Sequence, residues 1–324
     1  MIIVTGGAGF IGSCFVWKLN RMGIDDILIV DHLREGDKWK NLVGKKFEDY
    51  IDKTDFLDLI TNDLFDMSRV DSIVHIGACS STTETDADYL MGNNYQYTRV
   101  LAQVCLENDI NFFYASSAAT YGDGELGFSD EDEKTPEYRP LNMYGYSKHL
   151  FDLWVLKNNL QHKLTGFKFF NVFGPNEYHK AGMRSLVHKA FPNARDKHEI
   201  GLFKSYHPDY SDGGQTRDFV YVKDVLNVMG YFLEHPDIGG IYNIGTGKAQ
   251  SWNDLANAMF KALDVKGKIN YVDMPEQLKG KYQYFTEADL TKLRRAGCDY
   301  EFMSLENSIA DYIQNHLMKS NPYL

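Results

Sequence analysis

Hydrophobic and polar positions follow two periods in the first half of this chain. Met1-Ile2-Ile3-Val4-Thr5 is a short apolar run rich in β-branched residues, and Ser13-Cys14-Phe15-Val16-Trp17-Lys18-Leu19 behind it has helical spacing. The strand signal returns at Ile27-Leu28-Ile29-Val30, Ile73-Val74-His75-Ile76, Phe112-Phe113-Tyr114 and Gly166-Phe167-Lys168-Phe169, with helical segments at about 92–107 and 144–160 between. Alternation of this kind predicts an α/β fold built on a parallel, doubly wound sheet, with its chemistry gathered at the carboxyl ends of the strands. The polar stretch 123–139 reads as a loop. After Gly174-Pro175 the pattern loosens into a segment rich in Gly, His and Lys, then tightens at Phe219-Val220-Tyr221-Val222 and Ile241-Tyr242-Asn243-Ile244-Gly245. The chain is expected to leave its first domain and return.

Three motifs give this framework a chemistry. Gly6-x-x-Gly9-x-x-Gly12 follows the first strand and opens the first helix, where glycines allow a tight turn and let backbone amides approach a pyrophosphate at a helix N-terminus. Asp31 ends the second strand about twenty residues on, where a dinucleotide fold places the acid that binds a ribose. Tyr144 and Lys148, four apart on a helix, share a face, so an ammonium beside the phenol is expected to favour its ionised form. An unperturbed tyrosine is only about one part in a thousand ionised at pH 7, and a shift of ~3 units corresponds to roughly 4 kcal/mol. With the serine pair Ser116-Ser117 upstream, these motifs together predict nicotinamide redox chemistry.

Composition narrows the class. A chain of 324 residues, 44% hydrophobic, can bury a large core, and a net charge of −11 argues against a general nucleic-acid or anionic-membrane surface. Any phosphate must therefore be held by local groups. Cys14, Cys79, Cys105 and Cys298 form neither a Cys-x-x-Cys pair nor a disulfide framework, and Met1 leads directly into a strand, so reduced cytoplasm is the expected compartment. No apolar run approaches the ~20 residues needed to cross a bilayer, and the histidines lack metal-ligand spacing, so no metal is expected.

The chain closely resembles the extended short-chain dehydrogenase/reductases of the NAD-dependent epimerase/dehydratase family, over essentially its whole length. The resemblance is carried by Gly77-Ala78-Cys79-Ser80-Ser81-Thr82-Thr83-Glu84, Asn93-Asn94-Tyr95-Gln96-Tyr97, Tyr114 to Gly122, Phe170-Asn171-Val172-Phe173-Gly174-Pro175, Arg217-Asp218-Phe219-Val220-Tyr221-Val222 and Leu278-Lys279-Gly280-Lys281-Tyr282-Gln283. The first, second and last of these lean towards members that epimerise an ADP-linked heptose at C6. The resemblance implies a Rossmann-type domain over 1–171 with a returning segment at about 217–247, a smaller α/β substrate domain over about 172–216 and 248–324, and a homopentamer. It also implies roles: Tyr144 as acid/base, Lys148 as its pKa-lowering partner and a ligand of the nicotinamide ribose, and Ser117 on the reacting oxygen. Lys180 matches a second acid/base, with His179 only a neighbour.

By the same matching, the cofactor site comprises Gly6, Gly9, Phe10, Ile11, Gly12, Asp31, His32, Lys38, Lys53, Ile76, Gly77, Ala78, Cys79, Ser80, Asn93, Lys148, Val172 and Lys180. Asp31 favours NAD, because an acid accepts from a 2'-hydroxyl and repels a 2'-phosphate. Lys38 and Lys53 match positions associated with the 2'-phosphate and offset that acid, so NADP is expected, with NAD tolerated. Asn171, Gly182, Phe203, Lys204, Ser205, Arg217 and Tyr282 match substrate positions, and the planar fork of Arg217 suits a diphosphate. Two positions depart from the pattern: Gly182 stands where a serine is expected and Ile76 where an acid is common. The competing reading within the family is another nucleotide-sugar enzyme, a 4-epimerase or a net reductase. A 4,6-dehydratase is disfavoured because Ala118-Ala119 replaces its Asp-Glu pair, and a non-catalytic sensor is disfavoured because Ser117, Tyr144 and Lys148 are all retained.

Overall fold

The computed structural model describes residues 1–276 and 282–324. In β1 (Ile2–Thr5), Ile2 and Val4 enter one apolar core and Ile3 a second, because successive side chains of a strand point to opposite faces. β2 (Ile27–Asp31) divides in the same way, sending Ile27 and Ile29 to the first core and Leu28 and Val30 to the second. A strand covered on both faces is apolar throughout, which is why these segments read as continuous runs.

The helices that cover them come from the connections. α1 (Phe10–Arg21) brings Cys14, Phe15 and Leu19 to the first core. After the edge strand β3 (Asp49–Asp52), α2 (Lys53–Thr61) brings Phe56 to the second. Beyond β4 (Ser72–His75), the short α3 (Ala87–Leu90) passes through a π turn at Met91–Gln96 into α4 (Tyr97–Glu107), so the helix expected at 92–107 starts irregularly. β5 (Asn111–Ser117), α5 (Met143–Lys157) and β6 (Leu164–Phe169) follow. α5 begins where the Asn142 side chain accepts from Gly145 N, and Asn159, with φ 53°, lies beyond its end.

Past β6 the chain takes a single residue, Phe170, to step into β7 (Asn171–Phe173). The remaining elements are α6 (Leu186–Asp196), β8 (Glu199–Phe203), β9 (Thr216–Tyr221), α7 (Val222–Glu234), β10 (Gly240–Ile244), β11 (Ala249–Ser251), α8 (Trp252–Leu263), β12 (Lys268–Val272), α9 (Thr291–Arg295) and α10 (Leu305–Tyr312). The main sheet has the order β10-β6-β5-β4-β1-β2-β3 and is parallel throughout, a Rossmann-type doubly wound arrangement. Two smaller sheets, β11-β9-β7 and β12-β8, form the second part, so Thr216–Tyr221 pairs there while Gly240–Ile244 rejoins the main sheet. Strand order reverses between β1 and β4, and the crevice there opens at the carboxyl ends of the strands. All four cysteines are unpaired, and no helix among the described residues is long and apolar enough to cross a membrane.

Buried Asp218 ties the small sheet to its surroundings. Its carboxylate accepts from Thr246 N (2.7 Å), Thr246 Oγ1 (2.8 Å), Gly247 N (2.9 Å) and Ala288 N (3.0 Å). Asp218→Ala strips these donors of their acceptor and is expected to lower unfolding free energy by about 3 kcal/mol or more in chemical denaturation. A loss below about 1 kcal/mol would contradict the anchoring role.

Candidate active site

Two close approaches shape the turn between β1 and α1. Gly6 has φ +70°, and a Cβ there would sit 2.6 Å from Gly77 N; a Cβ on Gly12 would sit 2.1 Å from Gly6 O. Only glycine allows the strand, the turn and the helix to meet this closely. α1 starts behind Gly9 with no side chain capping it and no acid in its first turn, which suits an anionic ligand. Asp31 braces the turn, accepting from Ala8 N at 2.8 Å through Oδ2, while its Oδ1 accepts from His32 N at 2.6 Å and pairs with Lys38.

Three adjoining cavities run from this turn. The first, about 440 Å³, is walled by Asp31, His32, Lys38, Lys53, Cys79 and Asn93, and by Arg34, which sequence reading missed. The second, about 360 Å³, is walled by Gly9, Phe10, Ile11, Gly12, Ile76, Val172, Ser117, Tyr144 and Lys148. Gly6, Gly77, Ala78, Ser80 and Lys180 wall both. Every residue read as cofactor-binding therefore borders one of two joined cavities. These walls suit a dinucleotide: glycine-lined backbone at a helix N-terminus, and a cluster of cations beyond it. Burial lowers the Lys53 ammonium below its usual range, and the nearby positive charges of Arg34 and Lys38 push it further. Asp52 and Asp31 act in the opposite direction, and Glu35 and Asp37 also wall this cavity.

The third cavity, about 330 Å³, is walled by Asn171, Phe203, Tyr282, Trp252, Arg184 and Lys189. Of the residues matched to substrate, Asn171, Phe203 and Tyr282 are brought together here. Lys204 instead pairs with Asp273 at 3.1 Å, and Ser205 holds its own loop through Asp212 and His207. Arg217 lies buried behind Tyr282, its guanidinium 4.9 Å from that ring and donating to the carbonyls of Thr216 and Gln283. Gly182 borders none of the three; a Cβ there would meet nothing within 4 Å, so space does not explain the missing serine. The motif at 278–281 lies outside the described residues. Arg184 and Lys189 gave no motif signal beyond two cations following Lys180.

The family model described as NAD dependent epimerase/dehydratase family matches residues 2–245. The chain belongs to that family. It is 53% identical over its full length to a Nitratidesulfovibrio vulgaris (strain DP4) protein named ADP-L-glycero-D-manno-heptose-6-epimerase, the whole of which it covers. It is 51% identical, again with both chains fully covered, to a Fusobacterium nucleatum protein of the same name. Among solved structures, the Helicobacter pylori ADP-L-glycero-D-manno-heptose-6-epimerase superposes with a TM-score of 0.78 at 27% identity, covering 97% of this chain and 95% of that one.

Within the family's tyrosine-lysine pair, the electrostatics differ from the sequence expectation. Burial pushes the Tyr144 phenol up rather than down, with the nearby Ser117 acting in the opposite direction, while Ser117 Oγ accepts from Ala119 N at 3.1 Å. The lysine Nζ donates instead to Ala115 O at 2.9 Å, because its stem reaches back to the strand under the helix. Burial also brings the Lys148 ammonium down to about 8. Burial thus disfavours the charged form of both groups.

Beneath this wall lies an ion pair that the sequence did not disclose. Lys168 Nζ meets Asp152 Oδ2 at 2.7 Å, both side chains fully buried. Asp152 also accepts from Ser116 Oγ (2.7 Å) and Tyr114 OH (3.0 Å). Lys168 donates to Thr120 Oγ1 (2.8 Å), whose hydroxyl donates to Ser117 O (2.8 Å). Tyr144, Lys148 and Asp152 occupy successive turns of α5, so the pair fixes the helix to β6, while the bonds from Tyr114 and Ser116 fix it to β5, the strand that carries Ser117. Breaking a pair buried this deeply costs about 3–5 kcal/mol.

Lys180 approaches from the opposite part of the fold. Its Nζ lies 5.5 Å from the Phe10 ring, and burial lowers its proton affinity against the pull of Glu177. His179, brought down to about 4 by burial, faces Asn41 Nδ2 at 3.2 Å and borders the first two cavities beside Lys180.

The Lys148 value predicts a pH limb. The ammonium carries its charge below about pH 8 and loses it above, so kcat/KM, which reports free enzyme, is expected to fall as pH rises through about 8. A profile flat to pH 10 would remove that charge from the chemistry.

Proposed function

We propose that this protein interconverts ADP-D-glycero-β-D-manno-heptose and ADP-L-glycero-β-D-manno-heptose at C6 by transient oxidation, with NADP as its resident cofactor and NAD tolerated. The observation that carries this reading is the second cavity, where Ser117, Tyr144 and Lys148 share walls with Lys180. Inverting a carbinol carbon without net redox needs two proton donors that serve two orientations of one intermediate. A net reductase needs only one. The sugar named for the full-length relatives supports the heptose.

The bound nicotinamide would accept hydride from carbon and return it. The chain's own residues handle the oxygen: Tyr144 as phenolate takes the hydroxyl proton while the carbonyl forms, Ser117 bonds the reacting oxygen, and Lys148 supports the phenolate and bonds the nicotinamide ribose. In the other orientation Lys180 serves as the acid/base. Arg184 and Lys189 supply positive charge for the substrate diphosphate beside Asn171, Phe203 and Tyr282; Lys204, Ser205 and Arg217 would join by exchanging their present contacts, and Gly182 lies outside this cavity. The first cavity supports NADP, since Lys38 already compensates Asp31 and Arg34 and Lys53 stand nearby. We assign 1–171 and the part of about 217–247 that follows β9 to cofactor binding and the remainder, β9 included, to substrate, in a cytoplasmic homopentamer that supplies nucleotide-heptose for lipopolysaccharide core.

Purified protein given ADP-D-glycero-D-manno-heptose should form the C6 epimer by NMR without added reductant and, in D2O, without deuterium at C6. Deuterium there would favour deprotonation at carbon, and a stoichiometric demand for NADPH would point to the reductase. Lys38→Ala should weaken NADP more than NAD, by roughly 1 to 3 kcal/mol in titration calorimetry; equal losses would show that Lys38 does not read the 2'-phosphate.

A further inference from the structure

Residues 181–184 form an arch whose base is clamped and whose crest is open. Glu177, buried and bonded by Tyr312 OH at 3.0 Å, accepts from Ser185 Oγ at 2.6 Å and from Ser185 N, which fixes the far foot. At the near foot Lys180 N donates to Glu177 O at 3.0 Å, and Met183 N donates to Lys180 O at 2.9 Å. Ala181 at the bend holds φ 46°, while Gly182 has nothing within 4 Å of where a Cβ would stand. Met183 follows, 38% exposed.

Met183 is the one described residue that walls all three cavities. It stands where the dinucleotide crevice, the chamber holding Ser117, Tyr144 and Lys180, and the cavity holding Arg184 and Lys189 meet. A substrate anchored by its diphosphate in the third cavity and reacting in the second spans the junction that Met183 walls together with Asn171 and Val172. Epimerisation asks more of that point than a net reduction does, because the oxidised carbon must turn over between losing hydride and regaining it. A methionine has three freely turning side-chain bonds and a soft thioether, so it can yield to two shapes in succession. A β-branched residue there, confined at χ1, would suit one shape only.

We propose that Met183 is the compliant wall of the reorientation space, and so a determinant of which sugars this enzyme can epimerise; this rests on the C6-epimerase reading above. It touches substrate but carries no proton and no charge, so its effect falls on turnover rather than on nucleotide anchoring.

The test compares Met183→Ile with Met183→Leu, which keeps the unbranched β carbon and nearly the same volume. Met183→Ile is expected to lower kcat for C6 epimerisation about tenfold or more while the calorimetric Kd for ADP stays within about threefold, and Met183→Leu is expected to recover most of the rate. Equal activity of Met183→Ile and the parent protein would overturn the assignment, as would a loss of ADP binding that parallels the loss of rate, since that marks simple damage to the cavity. If the parent protein itself fails to epimerise the ADP-heptose, the functional reading falls and this inference falls with it. A parent that is active beside an unaffected Ile variant sinks this inference alone.

Discussion

The Asp152–Lys168 ion pair is the interaction on which the reacting wall depends. Neither charge reaches water, so each is tolerable only beside the other and with its remaining hydrogen-bonding capacity used. Those further bonds decide the geometry. Asp152 belongs to the helix that presents Tyr144 and Lys148; its partners Tyr114 and Ser116 lie on the strand that ends at Ser117. Lys168 comes from the next strand and reaches Ser117's carbonyl through Thr120. Three elements are thus held in one arrangement immediately below the phenol. Such a pair adds little net stability over a well-packed apolar core, but it penalises any other alignment of helix and strand.

A second constraint works at the opposite end of the crevice, where backbone rather than side chains must come close. The contacts of Gly6 with Gly77 and of Gly12 with Gly6 leave no space for a Cβ, which draws the carboxyl ends of β1 and β4 together at the point where strand order reverses. Asp31 then serves the protein before it serves a ligand: one oxygen braces the glycine turn and the other balances Lys38. A carboxylate engaged in this way repels a phosphate less than a free one.

Between these two fixed walls the segment after β7 carries adaptable parts. Buried Glu177 pins both feet of the arch, so Lys180 and Met183 keep their places while the crest retains room. The clamped feet and the open crest thus lie within a few residues of one another.

The sequence by itself determined the parallel sheet, the glycine turn and the tyrosine-lysine helix, because each rests on local rules: the two-residue period of strands, the freedom of glycine, the pitch of a helix. It did not reveal β3, β8 or β12, whose exposed and polar positions lack an apolar run. Nor did it reveal the partner of Lys168, since a lysine within a strand signal looks the same whether its ammonium meets water or a buried aspartate. The four-residue spacing put Tyr144 and Lys148 on one face, but only packing decided that Lys148 bonds Ala115 and that burial raises the phenol. The same holds for Arg217, turned onto backbone carbonyls, and for Met183, placed where three cavities meet. Such outcomes depend on contacts between residues far apart in the chain and on the water those contacts exclude, and neither is encoded in local spacing.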